Sequence, residues 1–120
     1  MKTELTIEES ASLIELGVDK KLASMKEFVH IYPEVLKGYA EYAKPWGWMP
    51  KFTLTDLLAI LPKEIGIEDF EMRTDRGNWV AMYRVLNGSC FFAPELIDAL
   101  YQLLIWVIEN GHITPKTDKQ

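Results

Sequence analysis

The chain has 120 residues, of which 48% are hydrophobic and 26% are charged, and these values are typical of a folded globular domain rather than a disordered chain. A chain of this length can bury a core without disulfide bonds or a structural metal. The single cysteine, Cys90, excludes an intrachain disulfide framework and a multi-cysteine zinc site. The net charge of −5 argues against non-specific binding to nucleic acid, because that binding depends on Lys and Arg side chains that neutralise phosphates.

The N-terminal residues predict a cytoplasmic protein whose fold starts with a helix. They lack the apolar core of a signal peptide. Thr6 and Glu9 have the spacing of a capping box at a helix start. Gly17 is placed to end this helix, with Val18 packing back on it. Asp19 is then placed to cap a further short turn.

The sequence of residues 28–50 is less decisive about secondary structure. Residues 28–32 fit either a strand or a buried connector. Pro33 is placed to start a helix over residues 33–43, which Gly38 weakens. Residues 44–50 contain two prolines and a glycine, and this composition predicts a loop.

A second, shorter helix is predicted after this loop. Thr53 is placed to cap it against Asp56, and leucines follow at helical spacing. Pro62 should limit the helix to about two turns, because a proline inside a helix removes a hydrogen bond and clashes with the preceding turn.

An alternating pattern replaces the helical one from Ile65 onwards and predicts strands. The turn sequences DRGN and LNGS predict two hairpins, and residues 90–92 would be a short third strand. Together they predict a three-stranded antiparallel meander, with the thiol of Cys90 buried between apolar neighbours. The residues expected to share a face are Phe70, Met72 and Thr74 on the first strand and Trp79, Ala81, Tyr83 and Val85 on the second.

The clearest helix of the chain is predicted over residues 94–111. Pro94 suits its first position, and Gly111 suits its end. The helix is apolar around most of its circumference, which predicts burial on several sides. Acidic residues interrupt the apolar run, so we interpret it as a core helix and expect no membrane partner. Its one narrow solvent-facing stripe should be Asp98, Gln102, Ile105 and Glu109.

These elements predict one α+β domain over residues 1–113, followed by a flexible polar tail over residues 114–120. The three-stranded antiparallel meander would pack against the long C-terminal helix and the shorter N-terminal helices.

No catalytic or metal site is predicted from the sequence, and we expect no cofactor. Cys90 with His30 or His112 could form a nucleophilic pair, but such a pair needs an exposed thiol. The two histidines have no metal-ligand spacing. Neighbouring acids such as Glu68 and Asp69 would point to opposite faces of a strand, which favours solvated charges over a paired acid and base.

The candidate binding residues are aromatic. Trp and Tyr on an irregular segment are the residue types enriched at binding hot spots. The alternative is that the tryptophans fold inwards as a lid of the core. Stacking of single-stranded bases is chemically possible, although the local charge balance over residues 18–51 is only +2, from six lysines and four acids. The candidate residues are Tyr39, Tyr42, Trp46, Trp48 and Arg84.

Three stretches, TIEESASLIELGVDKKLAS, FTLTDLLAILPKEI and ELIDALYQLLIWVIENGHI, resemble a group of small uncharacterised bacterial proteins of prophage or mobile-element character. The resemblance covers about half of the chain and its motifs are structural. It implies a bacterial cytoplasmic or phage-related protein of unknown function, and it brings no catalytic residues.

The function expected from these observations is that of a small non-enzymatic protein-interaction or phage-related accessory module, acting on a protein partner or as a homodimer. The alternative is a small ligand-binding domain or enzyme with a pocket between the sheet and residues 33–51. Nucleic acid is an unlikely partner.

Overall fold

The computed structural model describes residues 1–30, 46–84 and 88–113, which form helices and two antiparallel sheets. The predicted α+β class with a long C-terminal helix is therefore confirmed. The helix expected over residues 33–43, Val85 and the tail from residue 114 lie outside the described residues. The elements are α1 (Ile7–Glu15), a 3-10 turn (Lys20–Leu22), β1 (Met25–His30), β2 (Trp46–Lys51), α2 (Leu54–Ile60), β3 (Glu64–Ile65), β4 (Glu68–Asp75), β5 (Asn78–Tyr83), β6 (Cys90–Ala93) and α3 (Leu96–Glu109).

The ends of α1 follow from local hydrogen bonding. The backbone N–H of Glu9 donates to the Thr6 hydroxyl at 3.0 Å, and the N–H of Thr6 donates to the Glu9 carboxylate at 3.0 Å. Gly17 adopts φ 105°, and the N–H of Val18 donates to the carbonyl of Leu13. These contacts confirm the predicted capping box and the predicted stop, because they satisfy backbone groups that a helix end leaves without partners.

The long helix α3 starts later than predicted. Its N-cap is Glu95, which has an extended backbone, so Pro94 precedes the helix instead of opening it. The Glu95 carboxylate accepts a hydrogen bond from the backbone N–H of Lys2 and is therefore committed to the N-terminal segment. At the other end Gly111 has φ 74°, and the N–H of His112 donates to the carbonyl of Val107, which is the predicted glycine stop.

The main sheet has four strands in the order β3-β4-β5-β6, so the prediction of a three-stranded meander is wrong. Gly66, at φ 64°, lets the chain turn directly after β3, which then pairs with the start of β4. The hairpin between β4 and β5 is the predicted one. Arg76 and Gly77 both have positive φ, as a tight two-residue hairpin turn requires.

The core lies between this sheet and α3. Helix α3 packs against β5, β6 and α2. Phe91 on β6 points towards the core, so its neighbours Cys90 and Phe92 point outwards, because side chains alternate along a strand. Cys90 is exposed, and the prediction of a buried thiol is wrong. The fully buried side chains of α3 are Ile97, Ala99, Leu100, Leu103, Leu104 and Val107.

The predicted polar stripe of α3 is exposed only in part. Gln102 and Glu109 face solvent, whereas Asp98 and Ile105 are half-buried. Lys2 explains the position of Asp98, because its ammonium lies 2.8 Å from the Asp98 carboxylate. This hydrogen bond is the largest factor that raises the pKa of Lys2. None of the helices within the described ranges is long and apolar enough to cross a membrane.

Within residues 1–30, 46–84 and 88–113, β1 and β2 form a second, two-stranded antiparallel sheet, which we call the ribbon. The prediction of a loop over residues 44–50 is wrong for the described part of that segment, because residues 46–51 are a strand. Pro50 and Gly47 gave the misleading signal. A proline is tolerated in an edge strand, and both strands of a two-stranded ribbon are edges. The ribbon packs through β2 against α1.

Candidate functional site

The two faces of the ribbon differ in chemistry because its side chains alternate. The inner face meets α1, where Met49 is fully buried and packs with Ala11 and Val29. The outer face carries large rings that stay in solvent. We call this outer face the ribbon face; it comprises Lys26, Phe28, His30, Trp46, Trp48 and Pro50.

Three rings form the centre of the ribbon face. Phe28 and Trp48 are paired across the strands, with ring centroids 5.2 Å apart and ring planes at 61°. Phe28 is also stacked on Trp46, at 6.0 Å and 16°. Their exposed fractions are 53% for Phe28, 53% for Trp46 and 55% for Trp48. More than half of the accessible surface of each residue is thus open to solvent, although aromatic residues of this size are usually covered in a folded protein.

Two further side chains extend this cluster at its ends. His30 lies edge-on to Trp46, with ring centroids 4.9 Å apart. The ammonium of Lys26 lies 5.5 Å from the centre of the Trp48 ring, within the range of a cation–π contact. The ribbon face is therefore a row of rings with one positive charge at one end.

An ion cluster anchors the ribbon on the side away from these rings. The Lys51 ammonium lies 2.8 Å from the Glu4 carboxylate and 2.9 Å from the Glu27 carboxylate. The hydrogen bonds to Glu4 and then to Glu27 raise the pKa of Lys51 above its ordinary value. Since Glu4 precedes α1 and Glu27 lies on β1, the cluster links the N-terminal segment to both strands of the ribbon.

The structure brings together only some of the predicted site residues. Trp46 and Trp48 lie on the ribbon face, and both face solvent instead of forming a lid over the core. Arg84 directly follows β5 of the four-stranded sheet, and its guanidinium pairs with the Glu71 carboxylate. Tyr39 and Tyr42 lie outside the described residues.

Sequence reasoning missed the contribution of β1 to this site. Lys26, Phe28 and His30 alternate along the chain, which is the spacing of one strand face. The signal was masked because Val29 and Met25 interrupt it with further apolar side chains, so a short strand and a buried connector looked alike.

A groove lies between α3 and β6, apart from the ribbon face. This groove has a volume of about 360 Å³ and is lined by Phe91, Gln102, Ile105, Trp106 and Glu109. In the described part of the chain, no three His, Cys, Asp or Glu side chains are grouped so that they could hold a metal ion.

Comparison of the chain with known protein families, with curated proteins and with solved structures found no match.

Proposed function

We propose that this chain is a non-enzymatic protein-interaction module and that the ribbon face contacts the partner. The observation that carries the proposal is the adjacency of Phe28, Trp46 and Trp48, each more than half exposed. Clustered exposed aromatic side chains mark interaction surfaces, because covering them removes a large apolar area from water at a small cost in side-chain entropy.

The packing of the rings favours a protein over a single-stranded nucleic acid. A base binds by stacking on an open ring face. Here each central ring already has two neighbours: Phe28 contacts both indoles, Trp46 also contacts His30, and Trp48 also contacts Lys26. The net charge of −5 further opposes binding to phosphates. The exposed parts of these rings suit apolar side chains of a protein.

The size of the surface favours a short peptide segment over a second copy of the chain. Rings of this kind bury about 150–250 Å² when fully covered, so three half-exposed rings offer roughly 300 Å². A stable dimer buries about 800 Å² on each partner. In the described part of the chain no further strand pairs with β1 or β2, and the backbone groups of an unpaired strand edge can pair with an extended segment. We therefore assign the ribbon face to a short, extended, apolar segment of a partner protein.

The alternative function, a ligand-binding domain or enzyme with a pocket between the sheet and residues 33–51, depends largely on residues 33–45. These lie outside the described part of the chain, so no observed contact favours that pocket.

A selection from a random peptide library displayed on phage, with the full chain immobilised, tests the proposal. We expect enriched peptides to be apolar and to bind in fluorescence polarisation. Trp48→Ser should weaken their binding by about 30-fold, the effect of a 2 kcal/mol hot-spot residue.

Phe92→Ser is the matched control, because Phe92 is 51% exposed on the outer face of the other sheet. It should leave peptide binding unchanged. The proposal is wrong if Phe92→Ser weakens binding and Trp48→Ser does not, or if oligothymidylate binds through the ribbon face in a salt-dependent manner while no peptide is enriched.

A further inference from the structure

The groove between α3 and β6 has the size and lining of a small-molecule site. Its volume of about 360 Å³ lies within the usual range of such sites, about 300–1,000 Å³. Phe91, Ile105 and Trp106 supply an apolar lining, and Gln102 and Glu109 supply polar groups. This surface is separate from the ribbon face, and its assignment does not depend on the function proposed above.

Trp106 is held in place from two sides. The ring of His112 stacks on it, with centroids 5.1 Å apart and planes at 27°. On another side the chain approaches so closely at Gly88 that a Cβ atom there would lie 3.2 Å from the indole nitrogen. A ring fixed in this way can contact a ligand without first losing side-chain entropy, which lowers the cost of binding.

The described lining of the groove carries one negative charge. Among the described residues, Glu109 is the one charged residue that lines the groove, and its carboxylate forms no ion pair with any of them. The side-chain carbonyl of Gln102 can add a neutral acceptor. Aromatic rings beside a carboxylate that pairs with no described residue are complementary to a positive charge with an apolar surround, because the ring quadrupole and the carboxylate attract the same sign.

We propose that the groove between α3 and β6 binds a small organic cation of the alkylammonium or guanidinium class. The cationic head lies against Trp106 and Phe91 and within reach of the Glu109 carboxylate, and the apolar part of the ligand covers Ile105.

The test follows the indole N–H signal of Trp106 in ¹H–¹⁵N correlation spectra of the full chain, assigned from a Trp106→Phe variant. Three probes are titrated: choline, N-acetylarginine amide, and the neutral choline isostere 3,3-dimethylbutan-1-ol. We expect a saturable shift with at least one cationic probe and about tenfold weaker binding of the isostere, which lacks the cation–π and ion-pair attractions. A stronger response to N-acetylarginine amide would point to an arginine side chain of a protein as the natural source of the cation.

Two variants identify the source of the selectivity. Glu109→Gln should weaken binding of the cationic probe by about threefold to fivefold and leave the isostere unaffected. Glu15→Gln, at an exposed acid of α1, should change neither. The proposal is overturned if no cationic probe gives a saturable shift, if the isostere binds as well as choline, or if Glu15→Gln has the same effect as Glu109→Gln.

Discussion

At the scale of single residues, Asp56 joins two distant parts of the chain. One of its carboxylate oxygens accepts hydrogen bonds from the backbone N–H of Thr53 and from both the N–H and the hydroxyl of Ser24, each at 2.9 Å. Burial opposes ionisation of this carboxyl, but the hydrogen bonds from Ser24 and Thr53 outweigh it and lower the pKa of Asp56. A capping residue predicted from local spacing thus also fixes the start of β1.

Replacing Asp56 by Asn should lower the free energy of unfolding by about 1–3 kcal/mol near neutral pH, because charged hydrogen bonds are lost. The folded carboxyl has a lower pKa than the unfolded one. Its contribution is therefore present above the unfolded value, near 4, and is lost as the pH falls through the folded value. We expect the difference in the free energy of unfolding between wild type and Asp56→Asn, measured by urea unfolding, to be smaller at about pH 3 than near neutral pH.

The control for this comparison is Asp69→Asn, at an exposed position of β4, which should change stability by less than about 0.5 kcal/mol. If the free energy of unfolding differed between wild type and Asp56→Asn by the same amount at both pH values, the assignment of ionised Asp56 as the hydrogen-bond acceptor would be contradicted.

Two glycines with similar positive φ allow the contact at Trp106 to be measured. Gly88 and Gly77 have φ of 81° and 85°, so alanine at either position is strained by roughly 1 kcal/mol. Only at Gly88 would the added Cβ meet a neighbour, the Trp106 indole. Gly88→Ala should therefore lower the thermal midpoint more than Gly77→Ala. Equal losses would show that the indole moves aside freely.

At the scale of elements, the sequence predicts correctly the features that depend on residues within one turn of the chain. It does not predict the features that depend on pairing between distant residues. The capping residues of α1 and α2 and the glycines that end α1 and α3 act within one turn of the chain, so their spacing predicts them. The ribbon depends on pairing between residues 25–30 and 46–51, which no local pattern encodes, and Pro50 concealed it. The same limit applies to β3, whose two residues become a strand only by pairing with β4.

The ribbon offers a direct test of its alternating faces. Met49 is fully buried against α1, whereas its neighbour Trp48 is more than half exposed. Met49→Ala should lower the free energy of unfolding by about 2–5 kcal/mol because it leaves a cavity. Trp48→Ala should cost only about 1 kcal/mol, from lost ring contacts. Chemical unfolding followed by circular dichroism distinguishes them, and a larger loss for Trp48→Ala would reverse the assignment of the two faces.

At the scale of the whole molecule, the apolar contacts are unevenly divided. The main core joins α1, α2, α3 and the four-stranded sheet, while a small cluster around Met49 and Ala11 holds the ribbon, and Ile14 packs against both clusters. Two-stranded ribbons are marginally stable on their own, and segments with few buried apolar contacts open without global unfolding.

Hydrogen exchange followed by mass spectrometry should detect this difference. We expect the amides of β1 and β2 to exchange at least about tenfold faster than those of α3, since their opening requires less than the full free energy of unfolding. Equal protection of the ribbon and α3 would mean that the two clusters unfold as one unit.

The placement of the tryptophans also determines which changes in this molecule intrinsic fluorescence can detect. All four tryptophans retain solvent contact: Trp46 and Trp48 on the ribbon face, Trp106 in the groove, and Trp79 on β5. We therefore expect the native-state emission to be that of partly hydrated indoles and to change little on unfolding. A bound segment or cation would exclude water from one of these surfaces and move the emission to shorter wavelength, so intrinsic fluorescence should follow docking more sensitively than denaturation.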